Sequence, residues 1–211
     1  DTLKIDVILD SDAKTITVRD NGIGMSEDEL RRYLCQIALS GALDFIDKYE
    51  GEGEGAGAGI IGHFGLGFYS SFMVSDTVDV ITRSYTGAPA VKWVCGTDGE
   101  YEISASDGDE LEDGRGTAVV MHISEEGTEY LNAYKLKEIL DKYCAFMPVP
   151  IYFTDAGEAD KEDKKDGEDA EPKPINDTEP LWLKAPSDCT EEEYDEFYHK
   201  VFHDYREPLF H

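Results

Sequence analysis

Two glycine-rich segments constrain this chain more than any other feature. Residues 20–25 read DNGIGM and follow a run of alternating apolar residues, whereas residues 62–69 read GHFGLGFY and precede an apolar run. The first segment places one carboxylate at a strand end with glycines behind it. The second has several glycines at the start of a predicted helix. Their backbone amides are not shielded by side chains, an arrangement that binds phosphate. Together, in this order, they predict a nucleotide site.

Asp20 is the candidate for recognition of the base. Residues 3–9 and 16–18 alternate between apolar and polar types and predict two half-buried strands. Asp20 follows Val18 by two positions, so we expect it on the same face, where a buried carboxylate needs a hydrogen-bond donor. An exocyclic amine such as N6 of adenine is such a donor.

The Asp-Asn-Gly sequence is also a good signal for a plain hairpin turn. Ser26 and Glu29, however, form a capping-box pair that starts a helix too soon for a returning strand. We therefore favour the functional interpretation, in which Gly22 and Gly24 let the backbone approach a flat ring and Met25 packs against it.

The second segment is ambiguous by itself, because a GxxGxG string also occurs in simple turns. It lacks the surroundings of a dinucleotide fingerprint and the Gly-Lys-Ser/Thr of a P-loop. Glycine occupies every odd position in residues 51–59, and residues 68–74 predict a buried apolar helix. This combination favours a mobile lid that closes over phosphates. Thr117 is a third candidate, since it is expected to point toward the face that carries Asp20.

The remaining pattern predicts an α+β fold, a two-layer sandwich whose mixed, mostly antiparallel sheet is covered by helices on one face. Further strands are expected at residues 78–81, 91–95, 101–103, 117–123 and 151–153. Helices are expected from Ser26 to Ser40-Gly41, over residues 43–49 and over residues 128–146.

Composition excludes several classes of partner. The formal charge of −28 argues against nucleic acid and anionic membranes. No apolar run reaches membrane-spanning length, and no signal peptide is evident. The 4 cysteines are scattered, which favours buried free thiols in a reducing compartment over a metal cluster. The chain starts without methionine, so we expect its natural N-terminus to lie upstream.

The C-terminal part divides into a linker and a second unit. Residues 155–172 hold 9 acidic and 3 basic residues and no aliphatic side chain larger than alanine, which predicts a disordered linker. Thr190 and Glu193 then form a second capping box before an amphipathic helix. We expect a nucleotide-binding domain over 1–154, an acidic linker over 155–176, and the start of a second domain over 177–211.

These motifs resemble the ninety-kilodalton heat-shock chaperone family, and the resemblance covers nearly the whole chain. Residues 20–25 resemble its adenine motif, 61–70 its phosphate-lid motif and 116–117 its second adenine contact, while 182–202 resemble the start of its middle domain. The sequence FGLGFYS at residues 64–70 and the charged linker before Trp182 favour these chaperones over the sensor kinases, mismatch-repair proteins and topoisomerases of the broader superfamily.

The resemblance implies a Bergerat-type ATP-binding domain of a cytoplasmic, homodimeric, ATP-dependent chaperone that acts on client proteins. It implies that ATP or ADP is bound by Asp20, Gly24, Met25, Gly62, Gly65, Gly67, Phe68 and Thr117. It assigns no catalytic residue and no metal ligand to this chain, because the family's catalytic glutamate and Mg²⁺-binding asparagine lie upstream and its phosphate-contacting arginine lies downstream. We therefore expect the parent to be an ATPase and this chain alone to be inactive.

One position departs from the family. Leu39 stands where the family usually has a nucleotide-contacting lysine, so we expect weaker affinity or a charge supplied elsewhere. Two alternatives remain open: the ATP domain of a sensor histidine kinase, and a nucleotide-independent module that binds partners through its acidic linker.

Overall fold

The fold is built on one seven-stranded sheet. A computed structural model of the chain describes residues 2–35, 41, 62, 65–112, 114–157, 173–202 and 206. The strands are β1 (Ile5–Asp10), β2 (Thr15–Asp20), β3 (Ser75–Arg83), β4 (Val91–Gly96), β5 (Tyr101–Ala105), β6 (Gly116–Ile123) and β7 (Ile151–Asp155). Their order across the sheet is β5-β4-β3-β6-β2-β1-β7. The β1–β7 pair is parallel and the other neighbouring pairs are antiparallel, so the predicted mixed, mostly antiparallel sheet is confirmed.

Helix α1 (Glu27–Leu34) begins where the capping box predicts. The Ser26 hydroxyl accepts from the Glu29 amide, and the Glu29 carboxylate accepts from the Ser26 amide at 2.8 Å. Leu30 is fully buried beneath it. The described helix ends at Leu34, earlier than the predicted end at Ser40-Gly41. The predicted continuation over 36–40, including Leu39, the predicted helix over 43–49 and the glycine tract over 51–59 lie outside the described residues.

The predicted buried α-helix over residues 68–74 is instead a 3₁₀-helix, Gly67–Met73, with no fully buried residue. The hydroxyls of Ser70 and Ser71 donate to the carbonyls of Gly67 and Phe68, three residues earlier, at 2.6 and 2.7 Å. Such local hydrogen bonds support the tighter winding.

The predicted long helix over residues 128–146 is divided in two. A short 3₁₀-helix, Thr128–Tyr130, is followed by α2 (Ala133–Cys144). Asn132 lies between them in an extended conformation, and its side chain accepts from the Lys135 amide at 3.0 Å. This N-cap starts a new helix, which apolar periodicity alone does not reveal.

The two main helices cover the same face of the sheet. Leu136 of α2 packs on Val7, Leu9 and Ile16, whereas Leu30 of α1 packs on a second cluster that contains Val78, Val80 and Trp93. Val7 pairs with Val18, Val18 with Val119, and Val119 with Val80 on successive strands. Val7 and Val80 therefore lie on the same face of the sheet. The opposite face carries a smaller cluster of Ile81, Leu111 and Ala118.

The chain returns to this domain after the acidic tract. The Ile175 amide donates to the Ile151 carbonyl at 2.8 Å. The buried Asn176 side chain accepts from the Ile151 amide at 2.7 Å and donates to the carbonyls of Met147 and Val149, both at 2.8 Å. The last residues assigned to the linker therefore contact the nucleotide-binding domain, and the domain limits themselves stay a prediction.

Helix α3 (Glu191–Phe202) follows the second predicted capping box, in which Thr190 and Glu193 exchange hydrogen bonds. Its Phe197 ring lies 5.7 Å from that of Trp182 and 5.6 Å from that of Phe146 at the end of α2. Phe202 stays 64% exposed, so part of the apolar stripe is uncovered in this chain.

The four thiols are free, but only Cys95 is fully buried, while Cys35, Cys144 and Cys189 are partly exposed. The expectation of buried thiols therefore holds for one of them. Among the helices that the structure describes, none is both long and apolar enough to cross a bilayer.

Candidate functional site

A strip of the sheet between the two helices is left uncovered. Val18 of β2 lies between the cluster beneath α2 and the cluster beneath α1, yet it is 36% exposed. Asp20 on the same strand and Thr117 on β6 are half-buried. An exposed valine beside a half-buried carboxylate marks an open, partly apolar strip of the sheet surface.

Three polar side chains form one row across this strip. Asp20 of β2 is the direct cross-strand partner of Thr117 of β6, which in turn pairs with Thr82 of β3. The hydroxyl oxygens of Thr82 and Thr117 are 3.0 Å apart. The expected convergence of Asp20 and Thr117 on one face is therefore present in the register of the sheet.

Asp20 is held by backbone amides. Its Oδ1 accepts from the Gly22 amide at 2.8 Å. Burial raises the pKa of the Asp20 carboxyl above its ordinary value, and hydrogen bonds from the amides of Gly22 and Thr117 oppose this shift. Desolvation is the larger effect, so the charged form is costly until a donor binds it.

Thr82 is the site residue that the sequence did not reveal. Its side chain is completely buried; its Oγ1 accepts from the Met25 amide at 2.9 Å and lies 3.0 Å from the Gly116 carbonyl oxygen. The predicted strand ended at Ile81, two residues before the observed end at Arg83. One sequence feature pointed to Thr82: it follows Val78 and Val80 at a spacing of two, so it continues the buried face of the strand with a hydroxyl.

Gly24 and Gly116 lie where two backbone segments come too close together for a side chain. Gly24 has a φ of +58°, and an added Cβ would lie 1.9 Å from the Arg83 carbonyl oxygen. Gly116 has a φ of +106°, and an added Cβ would lie 2.1 Å from the Asp20 carbonyl oxygen. The two glycines bring the loop after β2 against the ends of β3 and β6.

Met25 and Phe68 form an apolar wall beside the strip. Both pack against the cluster that contains Leu30, Val80 and Trp93. The rings of Phe68 and Trp93 meet edge to face, with centroids 5.6 Å apart. The wall suits a flat aromatic ring bound above Val18.

The phosphate end is less defined. Gly65 has a φ of +63°, and Gly62 and Gly67 have open space around the position of an added Cβ. His63 and Phe64 lie outside the described residues, so the phosphate role of the loop stays a prediction.

Within the part of the chain that the structure describes, no three His, Cys, Asp or Glu residues are grouped as metal ligands. The apolar wall, the row of polar side chains and the close backbone approach fit a nucleobase.

Comparison with known proteins decides the family. The family model described as "Histidine kinase-, DNA gyrase B-, and HSP90-like ATPase" matches residues 1–112, which include Asp20, Thr82 and the glycine loop. The chain belongs to this ATPase family. The model described as "Hsp90 protein" matches residues 169–211, so the recognition of the ninety-kilodalton chaperones is confirmed, and with it the α+β fold class. Membership in the ATPase family implies nucleotide binding.

Curated relatives carry the name "Chaperone protein HtpG". The protein of Porphyromonas gingivalis is 47% identical over 212 residues, which are 99% of this chain and 29% of that protein. A protein of Bacteroides fragilis is 46% identical over 200 residues, 93% of this chain and 28% of its own length. A protein of Dechloromonas aromatica is 41% identical over 212 residues, which are 98% of this chain and 32% of that protein. The chain thus spans only about three tenths of the relatives it matches.

Proposed function

We propose that this chain is the ATP-binding domain of an ATP-dependent molecular chaperone. The observation that carries the proposal is the Asp20 carboxylate, half-buried over an open apolar strip and next to the Thr117 hydroxyl. The desolvation of this carboxylate outweighs the hydrogen bonds that it accepts from the amides of Gly22 and Thr117, so a further donor from a ligand would stabilise its charged form. The match to the ATPase family and the names of the relatives support the same conclusion.

Each residue has a distinct proposed task. Asp20 accepts a hydrogen bond from the 6-amino group of adenine, and Thr117 supports it. Met25 and Phe68 pack against the base and the sugar, and Gly24 lets the backbone approach the ring. The amides of Gly62, Gly65 and Gly67 hold the phosphates under a lid.

The activity of the whole protein is a further proposal. ATP supplies the free energy of a conformational cycle, in which binding orders the lid and hydrolysis releases it. Mg²⁺, the catalytic glutamate and the phosphate-contacting arginine belong to parts of the longer protein outside this sequence. We propose that this protein is a cytoplasmic homodimer that binds unfolded client proteins, and that neither nucleic acid nor membrane is its partner.

The test is calorimetric titration of ADP into the full-length protein and its Asp20→Asn variant. Asp10→Asn is a matched control, because Asp10 also ends a strand and its Oδ1 accepts from the amides of Asp12 and Ala13 at 3.0 and 2.8 Å. Loss of binding in the Asp20 variant alone supports the proposal. Unchanged affinity in a folded Asp20→Asn protein would show that Asp20 does nothing more than cap a turn.

A further inference from the structure

Thr82 connects three residues of the proposed adenine site without facing the ligand itself. Its Oγ1 contacts the Met25 amide at 2.9 Å, the Gly116 carbonyl at 3.0 Å and the Thr117 hydroxyl at 3.0 Å. Its side chain has no solvent exposure. We propose that Thr82 is a positioning residue that makes the site selective for 6-amino over 6-oxo purines, an inference that rests on the proposed nucleotide function.

The direction of the hydrogen bonds follows from the number of protons. A threonine hydroxyl carries one proton and two lone pairs. The Met25 amide can only donate to Thr82, and the Gly116 carbonyl can only accept from it. Once the Thr82 proton is directed to Gly116, the contact between the two hydroxyls requires Thr117 to be the donor.

This arrangement fixes what the row presents to a ligand. The Thr117 proton is turned toward Thr82, which leaves a lone pair of the Thr117 oxygen for the open strip. The Met25 amide is also taken by Thr82 and is not free to donate. Asp20 contributes a carboxylate, which is an acceptor when ionised. Asp20 and Thr117, with Thr82 behind them, therefore offer acceptors to the edge of the base.

An edge made of acceptors discriminates between purines. The 6-amino group of adenine donates to it, whereas the 6-oxo group of hypoxanthine places a lone pair against the carboxylate. A site built around matched hydrogen bonds rejects an analogue that leaves buried polar groups unpaired. Removal of the Thr82 hydroxyl would free the Thr117 proton, and rotation of the Thr117 hydroxyl would let it donate to a 6-oxo group.

The experiment compares ADP and IDP binding by calorimetry in the full-length protein. Thr82→Val, which keeps the shape and removes the hydroxyl, should lower the ratio of ADP to IDP affinity about tenfold, the effect of one mispaired buried hydrogen bond. Thr82→Ser should keep the wild-type ratio. Ser75→Ala is the matched control, since Ser75 is also buried on β3 and donates to the Ser71 carbonyl at 2.6 Å, away from the row.

The outcomes separate this inference from the proposed function. If the wild-type protein binds neither nucleotide, the proposed function fails. If it binds ADP and the Thr82→Val ratio equals that of the wild type, the positioning role is overturned, even if both affinities fall together. Should Thr82→Val not fold, Thr82→Cys provides a weaker hydrogen-bonding group of similar size. Its ratio should fall below that of Thr82→Ser, and an unchanged ratio would again refute the role.

Discussion

Asp20, the last residue of β2, and Thr117, the second residue of β6, are direct cross-strand partners. The pairing places a carboxylate beside a hydroxyl on the face where the helices leave the sheet uncovered. Among the described residues, the Asp20 carboxyl accepts from the amides of Gly22 and Thr117, and the Thr117 hydroxyl contacts that of Thr82. Both keep further acceptor capacity that a bound base can use.

Replacement of Asp20 by asparagine should separate function from stability. The amide presents a donor where the carboxylate accepted, so ADP affinity should fall by about tenfold or more, as for a lost charged hydrogen bond. The free protein should become more stable at neutral pH, because the desolvated charge is gone. Thermal unfolding with and without ADP measures both effects. A variant less stable than the wild type without nucleotide would contradict the assigned role of desolvation.

The pH dependence of stability follows from the raised pKa of Asp20. Between the ordinary carboxyl pKa and this raised value, the native protein binds more protons than the unfolded chain. The contribution of Asp20 to the free energy of unfolding should therefore decrease as pH rises through that interval. The difference in thermal midpoint between wild type and Asp20→Asn should vanish at acidic pH and appear toward neutral pH. If the difference in thermal midpoint were constant across pH, titration of Asp20 would not contribute to stability.

Two glycine-to-alanine substitutions should differ strongly in how much they destabilise the domain. Gly24→Ala places a Cβ against the Arg83 carbonyl at a positive φ, and it should destabilise the domain by more than about 2 kcal/mol. Gly67→Ala meets open space, so its effect should stay within about 0.5 kcal/mol. Denaturant unfolding of both variants provides the comparison. Similar losses would mean that the space around these glycines does not determine their tolerance.

Asn176 should be important for stability, although it is not among the proposed nucleotide contacts. Asn176→Ala leaves the Ile151 amide and the carbonyls of Met147 and Val149 without their side-chain partner, and should cost about 3 kcal/mol. Asn132→Ala, which removes an exposed helix cap, should cost about 1 kcal/mol. Chemical denaturation of the two variants tests this order. Equal losses would show that the segment after the acidic tract contributes little to the domain.

The chain alone should not hydrolyse ATP at the rate of the full-length protein. Asp20 is used for the base, and in this chain no carboxylate is assigned to activate water. Loss of a general base lowers rates by about 10²–10⁴-fold. Phosphate release by the purified chain and by the full-length protein gives the ratio. Equal turnover per molecule would place the catalytic groups inside this sequence.

The sequence predicted the sheet better than the helices. Alternation along residues 3–9 and 16–18 placed the ends of β1 and β2 to within two residues, because one face is buried and the period of a strand is two. The division of the second helical region at Asn132 was missed, since a cap competes with helix continuation through local hydrogen bonds. Asp20, Gly24 and Met25 were proposed from their motif. Thr82 was not, because its role depends on a register with β6 that no local pattern encodes.

The pairing of β1 with β7 has a consequence for how the protein is made. Ile5 is matched with Ile151, and Asn176 holds the start of β7. During synthesis the outer edge of β1 therefore remains without its neighbour until nearly all of the domain has left the ribosome. An open strand edge can pair with other chains, and such non-local pairing also slows folding. A domain proposed to serve a chaperone should thus itself need protection from aggregation while it is being translated.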